Sequence, residues 1–175
     1  MISLRDYTST DVERLLELAN SKRVSQYLAD TFPYPYTRAD AAWWINIGCR
    51  EKSTITKVIE YKGEFVGSIG LTSQTGWRQH LAEMGYWLGE AYWGQGIATA
   101  ALQEMTDTAF TLGYRKLYAP VLAHNAASMR VLEKCAYRLE GILKNEVIKD
   151  DQYFDVHHYA RWCLELKNCV SETGR

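Results

Sequence analysis

The chain has little proline and no cysteine pattern. Two of its three prolines fall within Thr31–Tyr36, a stretch that must therefore be extended. Cys49, Cys135, Cys163 and Cys169 form neither a Cys-x-x-Cys pair nor a metal spacing. This argues against a disulfide scaffold or zinc ribbon and fits free thiols in a reducing cytoplasm. No run of about 18 apolar residues occurs, so no membrane span is expected. Met1–Asp6 lacks the basic, apolar and small-residue succession of a signal peptide, and the expected location is cytoplasmic. Charge of one sign is also lacking: the net charge is −1, which gives no global basic field for nucleic acid. His80, His124, His157 and His158 are not at mutual metal spacing, and no His/Asp/Glu cluster implies a metal. No Gly-Lys-Ser/Thr ends a glycine loop, which sets a P-loop aside.

What is present is a composition of 47% apolar and 23% charged residues over 175 positions. That describes one soluble domain with a full core, expected over residues 1–167, with a polar tail at 168–175. Ile2–Tyr7 alternates as a first strand. Thr10 is placed to cap a helix through Asn20, a second short helix covers Ser21 to Leu28, and Thr37 caps a third to about Cys49. Lys57–Tyr61 and Glu64–Leu71 form a hairpin across Lys62-Gly63. Leu81–Leu88 is the next strand, followed by a helix from Gly96 that Gly113 stops. Then come the strand Lys116–Val121, a helix led by Asn125, and a final hairpin of Arg138–Val147 and Tyr153–Leu164. The expected fold is mixed α/β around one largely antiparallel sheet of six or seven strands.

The densest information lies in Ala82-Glu83-Met84-Gly85-Tyr86-Trp87-Leu88, a strand, followed by Trp93-Gly94-Gln95-Gly96-Ile97-Ala98-Thr99. A helix opening on Gly-x-Gly offers bare backbone N–H groups to phosphate oxygens. Thr99 stands where a dinucleotide fingerprint needs a third Gly or Ala, so that reading fails. Gly96 and Ala98 match the fourth and sixth positions of a Gln/Arg-x-x-Gly-x-Gly/Ala loop. Asn125, Ser128 and Lys134 match an Asn-x-x-Ser/Ala helix. In this order of motifs the chain resembles the GNAT superfamily of acyl-coenzyme A N-acyltransferases. Glu140–Lys144, Tyr153–Val156 and Pro33–Thr37 resemble its ribosomal-protein N-terminal acetyltransferase branch. Trp93 replaces the usual Gln or Arg, Ala136 the usual Gly, Tyr137 the usual Phe, and Leu132 a familiar tyrosine.

The resemblance implies an acetyltransferase with acetyl-CoA as co-substrate and a small-molecule or peptide amine as acceptor. A homodimer is compatible with it. It further implies a splay between the strand ending at Trp87 and Leu88 and the strand Lys116–Val121, filled by the pantetheine arm. The pyrophosphate would lie on the amides of Gly94, Gln95, Gly96, Ile97, Ala98 and Thr99, and Asn125 would touch pantetheine or cap its helix. Arg130 and Lys134 are candidates for the ribose 3′-phosphate. A backbone N–H near Trp87 or Leu88 is the expected oxyanion donor.

Alternation puts Glu83 on one face with Gly85 and Trp87, which makes it the first candidate for general base. Glu146 is the second, although one residue out of register with a glutamate of the branch, so that only a bulge would restore its face. Ser128 is the candidate proton donor to the departing sulfur. The acceptor groove is expected from Phe32–Tyr36, Trp43, the Thr75–His80 loop and the last hairpin. A protein N-terminal amine is the leading acceptor, and a polyamine, amino acid or antibiotic the alternative. A non-catalytic coenzyme A sensor is the rival from another class.

Overall fold

The computed structural model describes residues 1–29 and 31–163. The expected strand end at Leu164, the boundary at 167 and the tail 168–175 lie outside them. The described elements are β1 (Ile2–Arg5), α1 (Val12–Ala19), α2 (Lys22–Ser25), α3 (Arg38–Asn46), β2 (Thr54–Tyr61), β3 (Glu64–Ser73), β4 (Leu81–Leu88), α4 (Ile97–Thr111), β5 (Lys116–Leu122), α5 (Ala126–Lys134), β6 (Arg138–Lys149) and β7 (Gln152–Trp162). None of the described helices is long and apolar enough to cross a membrane.

One helix start and one helix end differ from the sequence reading. A 3-10 turn, Ser9–Asp11, precedes α1, and Thr8 rather than Thr10 stands at its start. The Asp11 carboxylate accepts from Thr8 N at 2.8 Å and from the two terminal guanidinium nitrogens of Arg5 at 2.9 Å, which ties β1 to the helix entry. The segment expected to be helical to Leu28 has only the single turn of α2, capped by Ser21. Thr37 does cap α3: its hydroxyl accepts from Asp40 N at 3.2 Å, and the Asp40 carboxylate accepts from Thr37 N at 2.8 Å.

The seven strands form one sheet in the order β1-β2-β3-β4-β5-β7-β6. Every neighbouring pair is antiparallel except β4 with β5. The β2–β3 hairpin turns at Lys62 and Gly63, both at positive φ (54° and 83°), the geometry a two-residue hairpin turn asks for. Side-chain alternation then divides the interior in two. Ala82, Met84 and Leu88 of β4 face α4 and α5, packing with Ile97, Leu102, Met105 and Leu132. On the other face Val58 and Phe65 pack with Leu15, Leu18, Ala41 and Ile45 of α1 and α3. Leu132, at the familiar tyrosine position, is fully buried core.

Close approach of β3 and β4 rests on Gly67. A Cβ there would lie 2.2 Å from Trp87 O and 2.8 Å from Leu88 Cα, and backbone atoms cannot rotate away. Gly67→Ala is expected to destabilise the fold by about 2 kcal/mol, lowering the thermal midpoint by roughly 4–8 °C. Gly141→Ala, where a Cβ would meet nothing within 4 Å, serves as the comparison and should leave the midpoint unchanged.

Candidate active site

The parallel pairing of β4 with β5 covers Leu81 with Lys116, Ala82 with Leu117 and Glu83 with Tyr118, and goes no further. Beyond Glu83 the strands part. Met84, Gly85, Tyr86, Trp87 and Leu88 form one wall of the opening, and Ala119, Pro120, Val121 and Leu122 the other. This is the splay that the family resemblance implies. The resulting cavity has a volume of about 610 Å³.

At the end of the wedge lies the glycine loop. Gly94 and Gly96 have φ of 73° and 79°, and a Cβ on either would meet no atom within 4 Å. The first bond of the helix runs from Ala100 N–H to Gly96 O at 3.1 Å. The N–H groups ahead of Ala100 therefore stand at the cavity mouth, where the helix dipole adds positive potential. Gly94, Gly96, Ile97, Ala98 and Thr99 line the cavity. The Gln95 side chain turns away and donates to Ala91 O at 2.9 Å. Trp93 donates its indole N–H to Leu88 O at 2.9 Å, pinning the loop to the end of β4.

Across the wedge, the Asn125 side chain accepts from Ser128 N at 3.1 Å and so caps α5. Asn125, Ser128, Arg130 and Lys134 all line the same cavity. Two open glycines, a free helix start and a pair of cations along one channel suit an elongated anionic ligand. Ala136, in the position usually held by glycine, has a φ of 61°, so this non-glycine residue carries the left-handed turn after α5.

A second cavity of about 510 Å³ lies on the opposite face of β4. Its walls include Phe32, Tyr36, Trp43, Trp44 and Trp87. Phe32 meets Trp87 edge-on, with centroids 5.5 Å apart. Thr54, Thr56, Ser68 and Thr72 form a hydroxyl wall. The sequence reading missed that wall. Its signal was the alternation Thr54-x-Thr56 and Ser68-x-Gly70-x-Thr72 along paired strands, which looks like ordinary strand composition.

The two cavities share Leu28, Ala29, Glu83, Gly85, Tyr86 and Trp87. They meet at Gly85, where a Cβ would find nothing within 4 Å. Glu83 lies beside this bare patch. Its carboxylate accepts from the Tyr118 hydroxyl at 3.1 Å. Burial, with the Glu83 charge adding, pushes the Tyr118 phenol up to about 12, so it remains a donor to Glu83 at neutral pH. His158 stacks on the Tyr118 ring at 4.9 Å, and Arg78 lies over it at 5.4 Å. On the opposite face, the Tyr86 hydroxyl lies 2.9 Å from Ser128 Oγ.

Several expected residues fall elsewhere. β6 does bulge between Leu143 and Val147, but Val147 lines the larger cavity while Glu146 is exposed and lines neither. The bulge does not bring the second base candidate into the site. The Thr75–His80 loop and Tyr34 do not line the smaller cavity. The last hairpin contributes Val147, Lys149 and Val156 to the larger cavity, not the smaller one. Lys149 Nζ donates to Leu28 O at 2.7 Å, joining that hairpin to the segment after α2. Among the described residues no group of three His, Cys, Asp or Glu side chains is arranged to hold a metal ion.

Comparison with known proteins agrees with this geometry. The family model described as acetyltransferase (GNAT) domain matches residues 2–138. An uncharacterized N-acetyltransferase p20 of Bacillus licheniformis is 26% identical over 166 residues, covering 91% of each chain. The ribosomal-protein-serine acetyltransferase of Escherichia coli is 38% identical over 81 residues, 46% of this chain and 45% of its own. Among solved structures, the ribosomal-protein α-N-acetyltransferase RimL in complex with coenzyme A superposes with a TM-score of 0.82 at 26% identity, over 92% of this chain and 93% of its own. The wedge, the glycine loop and the matched residues lead to one conclusion: the chain belongs to the GNAT acetyltransferase family.

Proposed function

We propose that this enzyme acetylates the α-amine at the N-terminus of a protein, with acetyl-CoA as co-substrate. The observation that carries this reading is the meeting of two cavities at Gly85, with a carboxylate on one face of β4 and a hydroxyl on the other. Acetyl-CoA supplies an activated acetyl group as a thioester. The amides at the start of α4 hold phosphate, Arg130 and Lys134 line the same channel, and the free edges of β4 and β5 accept an extended amide-bearing arm. Glu83 takes a proton from the acceptor ammonium, directly or through water. A backbone N–H at Trp87 or Leu88 faces the developing negative oxygen. Ser128 gives its Oγ proton to the leaving sulfur.

The smaller cavity favours an acceptor with one amine and neutral neighbours. Its charged lining residues, among those described, are Glu83 and Asp40, and the Asp40 carboxylate is engaged by Thr37. No lysine or arginine is among them to pair with the carboxylate of a free amino acid. A polyamine would bring a second and third ammonium against hydroxyls rather than carboxylates. Threonine and serine hydroxyls beside aromatic rings suit the peptide groups that follow an N-terminal amine. The name of the ribosomal-protein-serine relative supports the same acceptor.

The test is a pH–rate profile of the wild type and Glu83→Gln with a ribosomal-protein N-terminal peptide and with spermidine. An α-amine of pKa about 8 is partly neutral at pH 7 and needs only a modest base. If Glu83 takes the proton, Glu83→Gln loses most rate at low pH, where the amine is charged. The deficit shrinks as pH rises past the amine pKa. A constant ratio of the two rates from about pH 6 to 9 would leave Glu83 a positioning role only. Preference for spermidine would overturn the peptide assignment.

A further inference from the structure

Ser128 does not stand alone at the leaving-group side. Tyr86 sits on β4 between Gly85 and Trp87, with its ring partly buried against the core on the α4 and α5 face. Its hydroxyl lies 2.9 Å from Ser128 Oγ and 3.2 Å from Ser128 O. The contact joins residues 42 apart in sequence and links the strand under the two cavities to the first turn of α5. The helix-borne tyrosine of the family is absent, since Leu132 is sealed in the core. A phenol reaching across from β4 is thus present on the same side of the wedge.

We propose that Tyr86 is a positioning residue that acts through Ser128, donating its hydroxyl proton to Ser128 Oγ so that the serine's own proton is directed into the cavity. This rests on the reading of Ser128 as proton donor to sulfur. Two hydrogen-bond arrangements are open to the pair. In one, Tyr86 donates to Ser128 O and Ser128 spends its proton on the phenol. In the other, Tyr86 donates to Ser128 Oγ, one serine lone pair is occupied, and the O–H must point elsewhere. Only the second arrangement leaves Ser128 able to serve a departing thiolate.

The proton inventory closes without ionising Tyr86. The C–N bond forms and the C–S bond breaks, with its electron pair leaving on sulfur. Sulfur takes the Ser128 Oγ proton, and the proton shed by the amide nitrogen restores it through water. The ammonium proton removed first by Glu83 goes to solvent. Tyr86 keeps its proton throughout. Burial raises its pKa well above the ordinary phenol value, the hydrogen bond with Ser128 opposing in part, and the neutral donor is the favoured form.

The experiment compares wild type, Tyr86→Phe, Ser128→Ala and the double variant. Tyr86→Phe keeps the ring and its packing. It should lower kcat by about tenfold, near the upper end of one hydrogen bond's net contribution, with KM and calorimetric affinity for acetyl-CoA unchanged. In a crystal structure of Tyr86→Phe, Ser128 should divide between rotamers. In the Ser128→Ala background the Tyr86 change should cost nothing further. Replacing Tyr86 with 3-fluorotyrosine provides an isosteric probe should Phe disturb folding. Its phenol keeps the donor to Ser128, so kcat should stay within about twofold of wild type. An equal loss in the Ser128→Ala background, a loss with fluorotyrosine as large as with Phe, or an undiminished kcat in Tyr86→Phe each overturns the proposal. Full activity in Ser128→Ala would instead overturn the serine reading on which it rests.

Discussion

Ser128→Ala is expected to lower kcat by about a hundredfold, the low end of the range for general acid–base catalysis. Affinity for acetyl-CoA should be nearly unchanged. A thiolate departs more readily than an alkoxide, so an unassisted reaction keeps part of its rate, and this sets the effect at the low end. The serine backbone already holds α5 through Ser128 N–H to Asn125 Oδ1, and Ala retains that bond. Loss of rate therefore cannot be assigned to an uncapped helix. Stopped-flow release of free thiol, followed with an α-amine peptide acceptor, makes the measurement. Intact turnover would assign the proton to water.

Gly96→Glu is expected to weaken coenzyme A binding at least tenfold, about 1.4 kcal/mol or more. The residue precedes α4 at a φ of 79°, which an L side chain adopts only under strain. Its missing Cβ faces open space beside the larger cavity rather than packed protein. A carboxylate there meets the phosphate it displaces with like charge, at the helix end whose dipole would otherwise favour the anion. Because the side chain enters a cavity, the fold should persist, and titration calorimetry on the folded variant is the check. Unchanged affinity would remove the phosphate from this loop.

Much of this architecture can be read from local pattern. β4 has the limits that its apolar alternation and flanking loops announce, and the Gly94–Thr99 loop is where a Gly-x-Gly helix start puts it. Asn125 followed three residues later by Ser128 is a local capping geometry, and it forms as such. The failures share a physical cause. Glu146 is one residue from the pattern position, and the β6 bulge leaves Val147 in the wall; no periodicity of one strand reports where its partner forces the irregularity. The hydroxyl wall joins Thr54 and Thr56 of β2 with Ser68 and Thr72 of β3, and it exists only once the register pairs Thr54 with Thr72. Alternation puts Tyr86 on the face of β4 opposite Glu83, Gly85 and Trp87. Its contact with Ser128 depends on how α5 packs across the sheet, information that neither segment carries alone.

The short parallel ladder between β4 and β5 has a consequence for sheet edges. An unpaired strand edge at the margin of a protein invites pairing with any other chain. Here a comparable edge is kept inside, because β4 remains bound to β3 and β5 to β7 while the two part from each other. Such an interior edge leaves backbone N–H and C=O groups of β4 and β5 available to an extended guest that carries amides. The feature that would promote aggregation at the rim is confined to the centre of the sheet, where β3 and β7 hold the two parted strands in place.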